Sequence, residues 1–172
     1  MKITSFAKIA FAALLCASMA QAGEDAGGEG VHSSPALAVA MKATVSLAAG
    51  LRASEAQGTP ISAKFELEDG KLQLSVYTMK DGQFSEVIVD HKTGKIAKTE
   101  PITGGEDLTA AKHQAEAIAQ GKHSLRQAVT AAEQANAGYK AIRAEAEVED
   151  GTAQADLSLL KGAQFKHVDQ RL

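Results

Sequence analysis

Cysteine occurs once, at Cys16, and tryptophan not at all. Proline is limited to three positions, and only two tyrosines and five phenylalanines supply aromatic bulk. Each shortage excludes something. A lone cysteine cannot close a disulfide within the chain, so the core must hold the fold without covalent staples. With so few aromatics, that core is light and aliphatic. Basic residues number 18 against 21 acidic ones, a formal charge of −3. An acidic balance argues against nucleic-acid binding, which needs a basic patch. The apolar run from Ile9 to Ala17 falls short of the roughly 20 residues a membrane-spanning helix needs, and no later run is longer.

That run reads instead as the centre of a secretory signal peptide over residues 1–22. Lys2 and Lys8 precede it, and Ala20-Gln21-Ala22 is a small-x-small cleavage site. The competing reading is a lipid-anchored Cys16. Leu15 directly before the cysteine fits that poorly, so cleavage after Ala22 is expected. The product has 172 − 22 = 150 residues and a charge of 16 − 21 = −5, because the leader holds two basic and no acidic residues. The expected location is exported, either periplasmic or secreted.

Residues 23–33 (GEDAGGEGVHS) are polar and Gly-rich and read as a disordered lead-in. Glu24, Asp25, Glu29 and His32 fix no coordination geometry there. Ser34-Pro35 then looks like a helix start, with serine capping and proline in the first turn. Leu37, Met41, Val45, Ala48 and Ala49 recur at helical spacing, so one helix is expected from there to Gly58-Thr59-Pro60. From Ile61 the period changes to two. Ile61, Ala63, Phe65 and Leu67 alternate with polar residues, which marks a half-buried strand. Asp69-Gly70 is a hairpin signal, and KLQLSVYTM returns. Lys80-Asp81-Gly82 turns again into FSEVIVD, followed by His91-Lys92-Thr93-Gly94 and a short strand around KIAK. Residues 100–106 (EPITGGE) read as a linker, and DLTAAKHQAEAIAQ as a connecting helix ended by Gly121.

The pattern then recurs. Ser46-Leu47 matches Ser124-Leu125, a shift of 78. Ile61, Asp69-Gly70 and Phe84 match Ile142, Asp150-Gly151 and Phe165, a shift of 81, with three extra residues placed near Asn136-Ala137-Gly138. Phe65, Leu72 and Leu74 become Ala146, Ala153 and Ala155. Each exchange surrenders about 2 kcal/mol of possible burial, so the second unit is expected to be less stable or to lean on the first. The expected fold class is therefore α+β, with two tandem units of one helix packed on an antiparallel β-meander. Its divisions are 34–100 for the first unit, 101–121 for a linker with a short helix, and 122–172 for the second.

The helix SLAAGLRASEA, the strands KFELEDGKLQLSVY and the stretch VIVDHKTGKI resemble the PepSY domain, over about 41–98 and more weakly over 120–172. Val89, Asp90, Thr93, Gly94 and Lys95 fall on the family's strand-ending turn, here in a structural role. The second unit has no such turn; Asp169 is the nearest acid. The resemblance implies a non-catalytic, extracytoplasmic binding module. It further implies a protein partner, with inhibition or modulation of an exported peptidase acting in trans by surface occlusion. No HExxH helix lies in this chain.

The residues themselves show little chemistry. There is no G-x-S-x-G elbow, and Thr93-Gly94-Lys95 lacks the rest of a phosphate loop. His32, His91, His113, His123 and His167 share no face, and zinc needs three or four convergent ligands. No catalytic residue, metal ligand or cofactor is expected. The second functional class is an accessory protein that binds a metal or another small ligand through the acidic segment and the histidines.

Overall fold

The computed structural model describes residues 42–172. The signal peptide, the lead-in, Cys16, His32, the Ser34-Pro35 helix start, Leu37 and Met41 lie outside the described residues. In chain order the elements are α1 (Leu47–Ser54), β1 (Thr59–Glu68), β2 (Lys71–Lys80), β3 (Gln83–Val89) and β4 (Ile96–Ile102). Then come α2 (Gly105–Gln120), α3 (Leu125–Ala135), β5 (Lys140–Glu149), β6 (Thr152–Lys161) and β7 (Gln164–Arg171). This is an α+β fold with one seven-stranded antiparallel sheet in the order β4-β3-β2-β1-β5-β6-β7. The meanders are not separate sheets. They fuse where Ser62, Ala63 and Lys64 pair with Glu145, Ala144 and Arg143.

Turn chemistry sets the hairpins. Asp69-Gly70 and Asp150-Gly151 take φ of 48°, 73°, 47° and 74°, the left-handed pair that a two-residue turn requires. Asp81-Gly82 does the same with 53° and 74°. Matching bulges interrupt β1 between Pro60 and Ser62 and β5 between Ala141 and Arg143.

Strand alternation then sorts the side chains. Ala63, Leu74, Val76, Val87, Val89, Ala144 and Leu157 belong to one buried cluster with Leu47 and Leu51 of α1 and Leu125 and Val129 of α3. The intervening residues Tyr77, Met79 and Phe84 face the other way, where they pack with Ile61, Ile102 and Leu108, Ala111 and Ala115 of α2. α2 itself lies mainly against β5, with further contacts to β1, β6 and β2.

Two expectations need correction. Residues 42–46 are not helical; the helix begins at Leu47, where Ser46 Oγ accepts a hydrogen bond from Ala49 N at 3.2 Å. Thr44 N and Val45 N both donate to His91 O at 3.0 Å, which holds this bend against the turn after β3. Residues 100–102 are strand, not linker. Ser85↔Pro101 pairing extends β4 to Ile102, and proline is tolerated because β4 is an edge. α3 outlasts α1 by a turn, and Glu133 Oε1 in that turn accepts from Ala141 N at 2.9 Å, beside the β5 bulge.

Candidate functional site

The turn carrying Val89, Asp90, Thr93, Gly94 and Lys95 links β3 to β4. Val89 is buried in the core cluster, and Asp90 is exposed just beyond it. The Asp90 carboxylate accepts from Thr93 N at 2.8 Å and Lys92 N at 2.9 Å. Asp90 O accepts from Gly94 N, and Asp90 N donates to Lys95 O, both at 2.8 Å. Gly94 takes φ +72° and faces Val45. Those amide bonds, Thr93 first and Lys92 next, hold the Asp90 carboxyl below its ordinary 3.8. A depressed carboxylate stabilises the turn above the ordinary range, and that contribution vanishes as pH falls through the lowered value. Hydrogen exchange at the Lys92 and Thr93 amides should therefore be protected at neutral pH and lose protection in acid. Asp90→Ala should abolish the protection at both.

Asp169 does not stand in for Asp90. β7 register places Asp169 opposite Asp156 in mid-strand, not in a turn. The described histidines remain apart. His113 and His123 are exposed, and His91 lies in the turn with Nδ1 shielded from solvent and unpartnered among the described residues. No group of three or more His, Cys, Asp or Glu that could hold a metal occurs among the described residues.

An extended polar constellation lies on the sheet face turned away from α1 and α3. Following the ladders across all seven strands gives one continuous row: Glu100, Glu86, Tyr77, Ser62, Glu145, Asp156, Asp169. Five of the seven are carboxylates. The neighbouring row, two residues along, reads Lys98, Ile88, Ser75, Lys64, Arg143, Ser158, His167. Seven strands spaced at about 4.8 Å make each row about 29 Å long.

The two rows are stitched together. Lys98–Glu100 and Arg143–Glu145 each pair at 2.7 Å, and His167 Nδ1 lies 3.8 Å from Asp156. Beside them Lys64 pairs with Glu66 at 2.9 Å, and Ser75 Oγ donates to Glu66 at 2.6 Å. His167 stacks edge-on against Phe165 at 4.6 Å. The pairs are partly exposed, so they contribute little stability. Burial pushes the Glu86 carboxyl up, with Glu66 and Glu100 adding to it against Ser75 and Lys64. Burial, then Glu86, Asp107, Glu66 and Glu145, push the Tyr77 hydroxyl up.

A glutamate with a raised folded-state pKa costs stability once ionised. The cost appears as pH rises through the ordinary carboxylate range and is complete above the raised value. Glu86→Gln should therefore melt higher than the parent at pH 7, with the gain shrinking in acid. An equal gain at every pH would exclude ionisation of the half-buried carboxylate as the cause.

Sequence periodicity marked Lys64, Glu66 and Glu68 as a polar face, but the rows went unseen. They depend on the β1–β5 pairing, which brings together residues about 80 apart, and no local pattern encodes it. The chain matches no family model, no curated protein and no solved structure. Among the described residues, no helix is long and apolar enough to cross a membrane.

Proposed function

We propose that the chain is a non-catalytic, exported binding protein of PepSY type. Its two units share one sheet, and it docks a protein partner on the charged face of that sheet. The partner in this reading is an exported peptidase, modulated in trans by occlusion. The single observation that carries the docking surface is the pair of adjacent rows of opposite charge. Charges arranged in complementary rows fix register and speed encounter more than they add affinity.

Pairing of a partner strand with a free edge of the sheet is the weaker route. β4 offers Pro101, which lacks an N–H, beside Lys98 and Glu100. β7 presents Lys166, His167, Asp169 and Arg171, all exposed. Both are defended in the way that discourages strand addition.

The repeat is part of the proposal. Supporting it, Leu47, Gly50, Leu51 and Ser54 of α1 are buried, and so are their counterparts at a shift of 78, Leu125, Ala128, Val129 and Ala132 of α3. The bulges and hairpin turns correspond at a shift of 81.

The test is inhibition of, and binding to, exported peptidases by the purified chain, with Glu145→Lys/Asp156→Lys as the face variant. Binding should weaken at least about tenfold in the variant and fall with added salt. Failure to bind or inhibit any exported peptidase removes the peptidase reading. Unchanged binding by the variant removes the face.

A further inference from the structure

Of the described helices, α2 is held least firmly. Side chains cap the other two: Ser46 Oγ accepts from Ala49 N, and Ser124 with Gln127 closes a capping box. α2 begins after Gly104, which has no side chain to accept from the first-turn amides, and those amides have no partner inside the helix. α1 fully buries Leu47 and Leu51, α3 buries Leu125 and Val129, and Arg126 of α3 pairs with Glu55 at the end of α1 at 2.7 Å. In α2 the buried residues are Ala111 and Ala117. Its side-chain hydrogen bond is internal, Thr109 Oγ1 to Gly105 O at 3.4 Å. Among the described residues, no side-chain hydrogen bond or ion pair joins α2 to another element.

The grip is also uneven along the helix. Ala117 lies in the main cluster with Ala146, Ala155 and Leu172, and Ile118 packs against it. A Cβ on Gly121 would come within 2.6 Å of Leu172 Cβ, so the carboxy-terminal half is clamped. Over residues 105–112, Ala111 is buried and Leu108 half-buried, and the rest are exposed. Gly104 and Gly105 join this half to β4, and paired glycines leave the backbone free to pivot.

The ground beneath residues 105–112 is apolar. Ile61 and Phe84 are buried there with Ala111, and Tyr77, Met79 and Ile102 pack with them. Tyr77 also stands in the carboxylate row. Asp107 is near enough to that row to push the Tyr77 hydroxyl up, together with Glu86 and Glu145. The start of α2 thus brings negative charge to a row of carboxylates, and like charges oppose its seating.

We propose that residues 105–112 of α2 form a lid, which lifts from Ile61, Tyr77 and Phe84 while residues 113–120 stay seated. Lifted, it joins an apolar strip to the charged row at Tyr77 and so gates the docking surface. The gating rests on the docking reading above; the lifting does not.

Thiol accessibility tests the lid in the full chain, with no partner present. Cys16→Ser with Ala111→Cys leaves one thiol under the lid. Cys16→Ser with Ala128→Cys leaves one under α3, where the parent alanine is as well buried, 2% exposed against 1%. Maleimide should label position 111 at least about tenfold faster, because local release precedes global unfolding. Gly104→Asp supplies the missing cap in extended backbone, and its Cβ meets nothing within 4 Å. It should slow labelling at 111 about threefold. Equal rates at 111 and 128, or no slowing by Gly104→Asp, overturn the lid. Because a cysteine alters packing, hydrogen exchange in the unaltered chain gives an independent reading. Exchange at Ala111 and Lys112 at least about tenfold faster than at Ala117 and Ile118 supports the lid, and equal protection overturns it. Where a peptidase binds, Gly104→Asp should also slow association about threefold, and an unchanged rate overturns the gating. Loss of the lid leaves the charged-face reading to its own test, and loss of that reading leaves the lid.

Discussion

Separated fragments 23–103 and 104–172 should each lack a cooperative thermal transition, and mixing them should restore one. Ranking the halves by apolar content leads to a different expectation, a stable first unit and a weak second. The sheet topology removes the ground for that. β1 and β5 are the central strands, so a cut between the halves strips a neighbour from each and leaves two new interior edges. Such edges are open templates for mispairing. The main cluster is also shared. Leu47, Leu51, Leu74 and Val76 from one half pack in it with Leu125, Val129, Leu157 and Leu159 from the other. A fragment of about 70 residues with half a core sits at the lower limit of independent stability. Two-state melting of 23–103 alone, at the midpoint of the whole chain, would sink this expectation.

The alanines of the second half have a role in this arrangement. Ala146, Ala153 and Ala155 read as missing bulk when set against Phe65, Leu72 and Leu74. In the structure, Ala146 and Ala155 are buried in the cluster that includes Ala117 of α2, and α2 lies chiefly against β5. Small side chains on β5 and β6 let the helix approach. On the other half, Phe65 and Leu72 instead pack against Ile142 and Leu160. Composition alone cannot distinguish a weak core from one that leaves room for a helix, because the helix that fills the room lies elsewhere in the chain.

What was legible follows the range of the interactions involved. Strand period, the three Asp-Gly turns, the Asp90 carboxylate on turn amides and the positive φ of Gly94 are set within a few residues, and they could be read directly. The helix boundary at Leu47 could not, because it depends on two amides reaching His91 O some 47 residues on. The extension of β4 to Ile102 was hidden by Pro101, which reads as a breaker unless the strand is known to be an edge. The charged rows and the fused sheet rest on a single three-residue junction between β1 and β5.

Gly50 and Leu74 should behave as one unit. Gly50 sits inside α1, where glycine costs about 1 kcal/mol against alanine; on helix propensity alone, Gly50→Ala should stabilise. A Cβ there would fall on Leu74 Cδ2, and both positions are fully enclosed. Overpacking of that kind costs about 1–3 kcal/mol, so Gly50→Ala is expected to lower stability. Leu74→Ala removes a fully buried side chain and should cost about 2–5 kcal/mol. On the proposed repeat their counterparts, 50 + 78 and 74 + 81, are Ala128 and Ala155, both buried. In that reading the second half carries the double exchange, with the methyl group moved from the sheet side to the helix side. Gly50→Ala/Leu74→Ala should accordingly be more stable than the sum of the single changes by at least about 1 kcal/mol. Chemical denaturation of the four proteins measures this coupling. Additivity within about 0.4 kcal/mol would mean that the two residues do not share space, and the glycine would need another reason to be there.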